Sequence, residues 1–406
     1  MTTTINNEHK KLNVPNSTDR GNVIRNVPHL RFPEFEGEWE DFLINDVCSE
    51  FKSGKNIKAD SISESGEYPV YGGNGLRGYT SSYNHEGLYV LIGRQGALCG
   101  NVRSVNGKTY ITEHAIAAAG NEKSNTSFLH YLFLKMNLGQ YSDQSAQPGL
   151  AVNKLLKLKV ILPSISEQTK IARLLSLLDE CIATQSKIID RLQSLIKGIA
   201  DNILDNPLWK KTYLRSFMQF FSTNSLSWEQ LSYEEGEIRN LHYGLIHGFQ
   251  TRGINSASLP MIKNEAVPKQ YILCQVGDVA FADASEDTGE IAKSVEFVDT
   301  IEGDTICGLH TIHGRDIKNR TVVGFKGFAF NSRYFHDQIK RLAQGTKVFS
   351  ITANNLYSCY VYLPDLDTQT VIVKLLKSYE EQLIIGRMIL KQYEKQKQYL
   401  LRQMFI

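Results

Sequence analysis

The chain has 406 residues, which is enough for two or three domains that each bury a core. Its formal net charge of +2 excludes the strongly basic character of many nucleic-acid binders, so any DNA-binding surface must come from local clusters of Lys and Arg. The sequence has no run of about 18 apolar residues, and its first residues lack the apolar core of a signal peptide. We therefore predict a cytoplasmic protein with no membrane partner.

The six cysteines are scattered, with no C-x-x-C pair and no histidine close in sequence. Structural zinc sites and disulfide frameworks usually show recognisable spacings, so neither a metal site nor a disulfide is predicted. We expect reduced, buried thiols at Cys48, Cys99, Cys181, Cys274, Cys307 and Cys359.

Residues 1–30 are polar and aperiodic, which predicts a flexible tail. A first globular part follows at 31–163. It has strand-like runs at Leu88–Ile92 and Thr109–Thr112 and a helical run at Ser127–Met136.

The first globular part also contains a G-x-G-x-x-G match at Gly73, Gly75 and Gly78. A dinucleotide site needs a helix after these glycines and an acidic residue about 20 positions further on. Both are missing from the sequence. The glycines therefore predict a tight loop that brings the backbone close to a partner.

A repeated segment organises the rest of the chain. Asn153–Pro163 and Asn354–Pro364 are similar, and their prolines lie 364 − 163 = 201 residues apart. Weaker echoes occur in the same order at offsets of 189, 190 and 196, for example His114 and His310 at 310 − 114 = 196. Rising offsets are what loop insertions produce in one unit copied twice, so we predict an internal pseudo-twofold duplication.

Each copy of the repeat leads into a long helix, predicted at 164–206 and 365–406. Apolar residues recur in alternating steps of four and three, which is the heptad pattern of a coiled coil. The first seam is Ile171, Leu175, Leu178, Ile182, Gln185, Ile189, Leu192, Ile196, Ile199 and Ile203. The second is Ile372, Leu376, Tyr379, Leu383, Gly386, Leu390, Tyr393, Lys397, Leu400 and Met404.

The shared frame predicts that the two helices pair as an antiparallel coiled coil. Gln185 and Gly386 occupy the same seam position, so they are expected to face each other where the helices cross. The alternative is two unrelated amphipathic helices, each lying on its own domain.

The second globular part spans 207–364. It has strand-like runs at Val279–Ala282, Val322–Phe325 and Tyr360–Leu363, and a helical run at Ser332–Leu342. The predicted fold class is therefore α+β (mixed), with two α/β domains joined by two long helices.

No catalytic motif is present. The sequence lacks a phosphate-binding G-x-x-x-x-G-K-[ST] loop and an H-E-x-x-H zinc motif. We predict a binding or scaffolding protein that is not an enzyme, with no catalytic residue and no metal. The first seam spans 203 − 171 = 32 residues, about 48 Å of helix or about 14 base steps of duplex. A rigid helix pair of this length would suit a target that consists of two parts separated by a fixed gap.

The chain resembles the specificity subunits of type I restriction–modification systems. The resemblance is carried by Tyr68–Tyr79, Ser145–Asn153, Leu162–Ile171 and Val361–Gln369. It covers nearly everything after residue 30. The second copy has Asp-Leu-Asp-Thr-Gln where the first has Ser-Ile-Ser-Glu-Gln, so one docking surface is expected to be weaker.

The resemblance implies two target-recognition domains, 31–163 and 207–364, each reading one half of a bipartite, asymmetric site in double-stranded DNA. The helices would act as spacers that set the gap. The chain would bind no cofactor itself. Two modification subunits would use S-adenosylmethionine to methylate adenine, and two restriction subunits would use ATP and Mg.

Residue chemistry suggests which side chains contact DNA, because Arg and Lys read guanine, Asn and Gln read adenine, and Tyr and His stack or reach phosphate. In the first domain the candidates are Lys52, Lys55, Tyr71, Asn74, Arg77, Tyr79, Arg94, Gln95 and Arg103. In the second they are His242, Tyr243, His247, Gln250, Arg252, Lys263, His313, Arg315, Lys318 and Arg320. His114 and His310 are expected to be buried and hydrogen-bonded.

Two alternative functions stay open from the sequence. One is a two-headed coiled-coil adaptor that binds proteins or glycans. The other is an independent methyltransferase, which the missing motifs disfavour. The residue pattern does not determine the half-site sequences or the gap length.

Overall fold

The computed structural model describes residues 26–143, 148–249, 253–254, 256–298, 303–345 and 347–406. Most of the predicted tail, residues 1–25, lies outside the described residues. The chain divides into two compact units, residues 1–184 with 391–406, and residues 185–390. Each long helix therefore contributes to both units.

The first unit is built from short strands and one central helix. In chain order its elements are β1 (Glu40–Leu43), α1 (Ile44–Val47), β2 (Cys48–Ser53), β3 (Tyr68–Gly72), β4 (Gly75–Thr80), β5 (His85–Glu86), β6 (Tyr89–Gly93), β7 (Val102–Val105), β8 (Lys108–Ile111), β9 (Ala115–Gly120), α2 (Thr126–Met136), α3 (Val152–Leu155), β10 (Lys159–Leu162) and the start of α4 (Ile165–Leu204).

Two four-stranded sheets form the body of this unit, in the orders β2-β9-β6-β7 and β4-β3-β8-β5. The helix α2 begins where the Asn125 side chain accepts hydrogen bonds from the amides of Ser127 and Phe128. Its Phe128 and Phe133 are buried in the same core as Val90 and Ile92 of β6. The glycines of the G-x-G-x-x-G match lie in the β3–β4 hairpin, as the tight-loop prediction requires.

The second unit contains, in chain order, β11 (Lys210–Tyr213), β12 (Met218–Phe221), β13 (Leu231–Ser232), β14 (Arg239–Leu241), α5 (Tyr243–Gly248), β15 (Gly253–Ile254), β16 (Met261–Ile262), β17 (Val279–Ala282), β18 (Ala284–Ser285), β19 (Ser294–Phe297), β20 (Thr305–Cys307), β21 (Thr311–Asp316), α6 (Phe325–Ala329), α7 (Arg333–Leu342), β22 (Phe349–Ser350), α8 (Ala353–Ser358), β23 (Tyr360–Leu363) and most of α9 (Leu366–Gln403).

Its main sheets have the orders β12-β21-β17-β19-β15 and β13-β16-β14-β20. In both units, the strand that precedes the long helix pairs antiparallel with the first strand of that domain. β10 pairs with β1, and β23 pairs with β11. The predicted mixed α/β class, with two domains and two long helices, is confirmed.

The long helices α4 and α9 contact each other within each unit. In the first unit Ile171 and Leu175 near the start of α4 share a core with Leu400 and Met404 near the end of α9. In the second unit Ile203 near the end of α4 shares a core with Ile372 and Leu376 of α9. The helices therefore run antiparallel.

Midway along α4, Gln185 Nε2 donates a hydrogen bond to the Gly386 carbonyl oxygen at 3.0 Å. A Cβ on Gly386 would lie 3.1 Å from Gln185 Nε2 and 3.4 Å from Ile189 Cγ1, which is tighter than an ordinary packing contact. The glycine therefore lets the helix backbones approach closely enough for this hydrogen bond.

Two expectations are wrong. Val322–Phe325 does not form a strand: Gly324 adopts a left-handed conformation with φ of 93° and caps helix α6. The Val322 amide bonds to the Gln369 side chain instead of a neighbouring strand. Among the cysteines Cys274, Cys307 and Cys359 are buried, but Cys181 is exposed on α4, and Cys48 and Cys99 are only partly buried.

Across the described residues, none of the helices combines the length and apolar character that a membrane span requires.

Candidate nucleic-acid interface

In the first unit, the β3–β4 hairpin turn gathers several of the predicted DNA-contacting residues. Asn74 is exposed at the tip of the turn, and Arg77 is exposed on β4. Gly75 has φ of 110°, and a Cβ there would lie only 2.9 Å from Cζ of Arg103. The absence of a side chain at Gly75 thus lets the Arg103 guanidinium lie against the hairpin.

A second part of this surface forms around His114. The Arg94 amide donates to the His114 carbonyl oxygen at 2.9 Å, and Gln95 Oε1 lies 3.1 Å from His114 Nδ1. A Cβ on Gly73 would lie 2.7 Å from the same His114 carbonyl, so the hairpin turn packs on this segment. Asn74, Arg94, Gln95 and Arg103 are therefore brought together.

His114 differs from the prediction of a buried ring. Its side chain is 45% exposed and lies 3.2 Å from Glu113 Oε1. His310 of the second unit is likewise 50% exposed, with Nδ1 3.1 Å from Asp283 Oδ1. Both rings are hydrogen-bonded, as predicted, but they lie at the surface because each histidine is part of the turn that leads into a buried strand.

Four predicted residues of the first unit have other surroundings. Lys52 is 67% exposed and forms an ion pair with Glu50, and Lys55 is exposed beside Thr112. Tyr71 packs against a small apolar core, and Tyr79 bridges to Ser63 through backbone hydrogen bonds.

In the second unit, the helix α5 presents a group of aromatic rings. The Tyr243 ring contacts the rings of His310 and His247 at centroid distances of 5.3 and 6.2 Å. His247 also lies 3.5 Å from Glu290 Oε2. Burial raises the pKa of Asp283 above its ordinary range, although the neighbouring His310 opposes this shift.

His242, which the sequence offered as a DNA-contacting residue, is too deeply buried to contact DNA. Its ring is 3% exposed, stacks on Trp228, and accepts a hydrogen bond from the Gly244 amide at the start of α5. Burial lowers the pKa of His242, and the charge of His310 adds to this, so the buried ring is held neutral.

His313 and Arg315 both form hydrogen bonds with the buried carboxylate of Asp278. Asp278 is 1% exposed, and His313 Nε2 lies 2.7 Å from its Oδ2. Arg315 donates two hydrogen bonds to this carboxylate, from Nε to Oδ1 at 2.8 Å and from Nη2 to Oδ2 at 2.7 Å. Burial alone would raise the pKa of Asp278, but the hydrogen bonds from Arg315 and His313 outweigh it and hold the pKa below its usual range. His313, at 1% exposure, has no surface for DNA.

Lys263, Lys318 and Arg320 of the second unit lie in loops and turns. Lys263 is half-buried next to Gln230, whereas Lys318 and Arg320 are exposed. Gln250 and Arg252 lie outside the described residues. Arg320 lines a groove of about 730 Å³ together with Lys210, Lys211 and Arg215. Sequence spacing does not reveal this basic groove, because Arg320 lies 320 − 215 = 105 residues after Arg215, the last of the other three basic residues.

The same hydrogen bonds recur in both units beside the exposed histidines. Arg94 donates to the His114 carbonyl, and Leu150 donates to the Arg94 carbonyl. In the second unit Asp283 donates to the His310 carbonyl, and Ile351 donates to the Asp283 carbonyl. The histidine turns thus have equivalent backbone surroundings but different neighbouring side chains.

The joints between domains and helices also match. Gln168 is fully buried; its Nε2 donates to the carbonyls of Lys123 and Pro163, and its Oε1 accepts from the Asn125 amide. Gln369 is fully buried and makes the corresponding hydrogen bonds to Arg320, Pro364 and Val322. The repeat places the two glutamines at equivalent positions, 369 − 168 = 201 residues apart, but sequence alone does not reveal these hydrogen bonds.

Comparison with known proteins gives one family. Residues 36–194 match the model of the type I restriction modification DNA specificity domain. The type I restriction enzyme EcoprrI specificity subunit of Escherichia coli is 39% identical over 180 residues, or 43% of this chain and 44% of that protein. The MjaVIII specificity subunit of Methanocaldococcus jannaschii is 23% identical over 398 residues, 91% of each protein.

Among solved structures, the S subunit of a type I restriction-modification system from M. genitalium has a similar fold. Its TM-score is 0.62 at 16% identity, and the match covers 94% of this chain and 99% of that one. The alignments with the first two curated relatives cover only 44% and 37% of their lengths.

The chain therefore combines two mixed α/β units and a pair of antiparallel long helices with a segment, residues 36–194, that is similar to the DNA specificity domain of type I restriction modification systems. In sequence, the chain is similar to type I restriction enzyme specificity subunits, over part of its length at 39% identity and over most of it at 23% identity.

Proposed function

We propose that the chain is the DNA-binding specificity subunit of a type I restriction–modification complex. The match of residues 36–194 to the DNA specificity domain carries this proposal. In this function, each unit reads one half of an asymmetric, bipartite site, and the paired helices α4 and α9 set the gap.

The surface chemistry of the first unit supports a role in reading bases. Asn74 and Gln95 offer amide groups beside each other, and Arg103 on β7 offers a guanidinium group against the same hairpin; such groups pair with adenine and guanine edges. In the second unit, Tyr243, His247 and His310 would contact bases or sugars. The groove formed by Lys210, Lys211, Arg215 and Arg320 would hold phosphates, which position a protein on DNA without reading its sequence.

We further propose that the chain has no catalytic activity of its own. Two modification subunits would bring S-adenosylmethionine for adenine methylation. Two restriction subunits would bring ATP and Mg for translocation and cleavage. The chain's part would be to place these partners on the DNA.

The deciding experiment is a genome-wide map of methylated adenines in cells with the gene, without it, and with the gene restored on a plasmid. We expect one bipartite methylated sequence that disappears on deletion and returns on complementation. An unchanged map would contradict the proposed function.

Binding measurements separate this function from that of a protein- or glycan-binding adaptor. DNA affinity should fall steeply with salt, because binding releases counterions from phosphates. A purified chain incubated with labelled S-adenosylmethionine and DNA should transfer no label. Label transfer would show instead that the chain is itself a methyltransferase.

A further inference from the structure

Cys274, Cys307 and His313 lie together in the interior of the second unit. The two sulfur atoms are 3.5 Å apart, and one ligand atom from each of the three side chains lies within 4.8 Å of the others. The backbone holds this arrangement: the Cys274 amide donates to the Thr305 carbonyl at 2.8 Å, and Leu273 pairs with Ile306. The cysteines are 33 residues apart in sequence, so no spacing motif reveals them.

Asp278 orients the histidine of this cluster. Its carboxylate is ionised because Arg315 donates two hydrogen bonds to it, and an ionised carboxylate can only accept hydrogen bonds. The Nε2 atom of His313, which lies 2.7 Å away, therefore carries the proton. In the neutral ring, Nδ1 then keeps a lone pair for a ligand. A carboxylate that fixes the tautomer of a histidine is a common outer-shell partner of a metal ligand.

The sulfur–sulfur distance and the charge of the three side chains suit one metal in particular. With zinc–sulfur bonds of about 2.3 Å, tetrahedral ligands lie about 3.8 Å apart, so the thiols need to move by only a few tenths of an ångström. Two thiolates and a neutral imidazole balance the charge of Zn²⁺, and Arg315 already pairs with Asp278. Soft thiolate ligands with imidazole favour zinc over magnesium or calcium.

We propose that Cys274, Cys307 and His313 bind one zinc ion, with the fourth coordination position taken by water. A cavity of about 200 Å³ has Cys307 and His313 in its wall, together with the polar residues Ser222, Thr223 and Asn224. The cavity provides an entry path and space for that water. The metal would tie the segment that carries Cys274 to the strands β20 and β21, and this inference does not depend on the proposed function.

The first test is metal analysis of the full chain, purified without a metal-affinity resin and dialysed against buffer with trace zinc. We expect close to one zinc per chain. Replacement by Co²⁺ should produce a thiolate-to-cobalt charge-transfer band in the wild-type protein, a signal that needs no variant. A chain that takes up neither metal, or that is purified anaerobically with a Cys274–Cys307 disulfide, would overturn the site.

Variants locate the ligands. Cys274→Ser and Cys307→Ser should each lose most of the bound zinc, whereas Cys359→Ser, which alters a buried cysteine outside the cluster, should retain it. Asp278→Asn should weaken zinc binding by about 10–100-fold, because it removes the partner that orients His313. Zinc retained in both single cysteine variants would contradict the assignment, and the cobalt spectrum decides the case if a variant fails to fold.

Discussion

At the scale of single residues, the interior holds several polar groups whose ionisation is set by their surroundings. Glu296 and Lys326 form a buried ion pair at 2.8 Å, and Glu296 Oε2 also accepts from the Gly327 amide. Burial raises the pKa of Glu296, while Lys326 opposes this shift. Removing one member of such a pair leaves the other charge buried without compensation.

His130 predicts how stability depends on pH. Burial lowers the pKa of this ring to about 4, with Lys397 adding to the shift and Asp179 opposing it. The unfolded chain takes up a proton on this ring near pH 6.5, whereas the folded protein keeps the ring neutral until about pH 4. The free energy of unfolding therefore falls as the pH falls from 6.5 towards 4. The loss approaches about 1.4 kcal/mol for each pH unit within this window.

A His130→Leu variant should therefore lose less stability than the wild type between pH 7.5 and about 5. The measurement is the unfolding midpoint of both proteins across this range. His114→Leu, which removes a 45% exposed ring, is the matched control. Parallel pH profiles for wild type and His130→Leu would show that His130 does not contribute.

At the scale of elements, the joints at Gln168 and Gln369 anchor each domain on its long helix. Gln168→Ala would leave the Asn125 amide and the carbonyls of Lys123 and Pro163 without their partner. An unsatisfied buried group costs about 1–3 kcal/mol, so we expect a loss of about 2–4 kcal/mol in unfolding experiments. Gln369→Ala should have a similar effect in the second unit.

Hydrogen exchange distinguishes a local joint from general destabilisation. Gln168→Ala should speed exchange at the Asn125 amide and spare Val322, and Gln369→Ala should do the reverse. Gln193→Ala in α4 and Gln382→Ala in α9 remove exposed glutamines and should change stability by less than about 0.5 kcal/mol. Equal losses for buried and exposed glutamines would refute this role.

Two glycines in the long helices allow a matched comparison. A Cβ at Gly198 would have no atom within 4 Å, so Gly198→Ala should stabilise α4 by about 0.5–1 kcal/mol through helix propensity alone. Gly386→Ala has the same propensity gain, but its Cβ crowds Gln185 and Ile189. We expect a smaller gain or a loss, measured as the difference in urea midpoint. An equal gain at both sites would mean that the Gln185–Gly386 contact is not tight.

Helices and strands whose apolar spacing is local are predictable from the sequence, whereas side chains that meet only in the folded chain are not. Periodicity predicted α2, α7, β17 and β23 because their apolar spacing is local. It failed at Val322–Phe325, where a left-handed glycine and a hydrogen bond to Gln369 override strand propensity. Asp278 with Arg315, and Cys274 with Cys307, are paired only by the tertiary fold, so composition and spacing could not identify them.

At the scale of the whole molecule, the two units share particular backbone hydrogen bonds but present different side chains beside them. The hydrogen bonds around His114 recur around His310, yet Arg94 and Gln95 stand where the second unit has Asp283 and Ala284. Shared backbone hydrogen bonds with dissimilar side chains would suit the proposed reading of two different half-sites, because phosphate contacts position a protein while base contacts specify the sequence.

This difference predicts separable effects on recognition. Gln95→Ala in the first unit should relax or weaken one half of the methylated site, and Tyr243→Ala in the second should affect only the other half. A base contact contributes about 1–3 kcal/mol of discrimination, so the preferred base should lose roughly tenfold or more in relative methylation. Each variant is the control for the other in a genome-wide adenine-methylation map, since the unchanged half-site shows that the complex still assembles. If both substitutions altered the same half-site, or if neither altered any base, the assignment of one reader to each unit through these residues would be wrong.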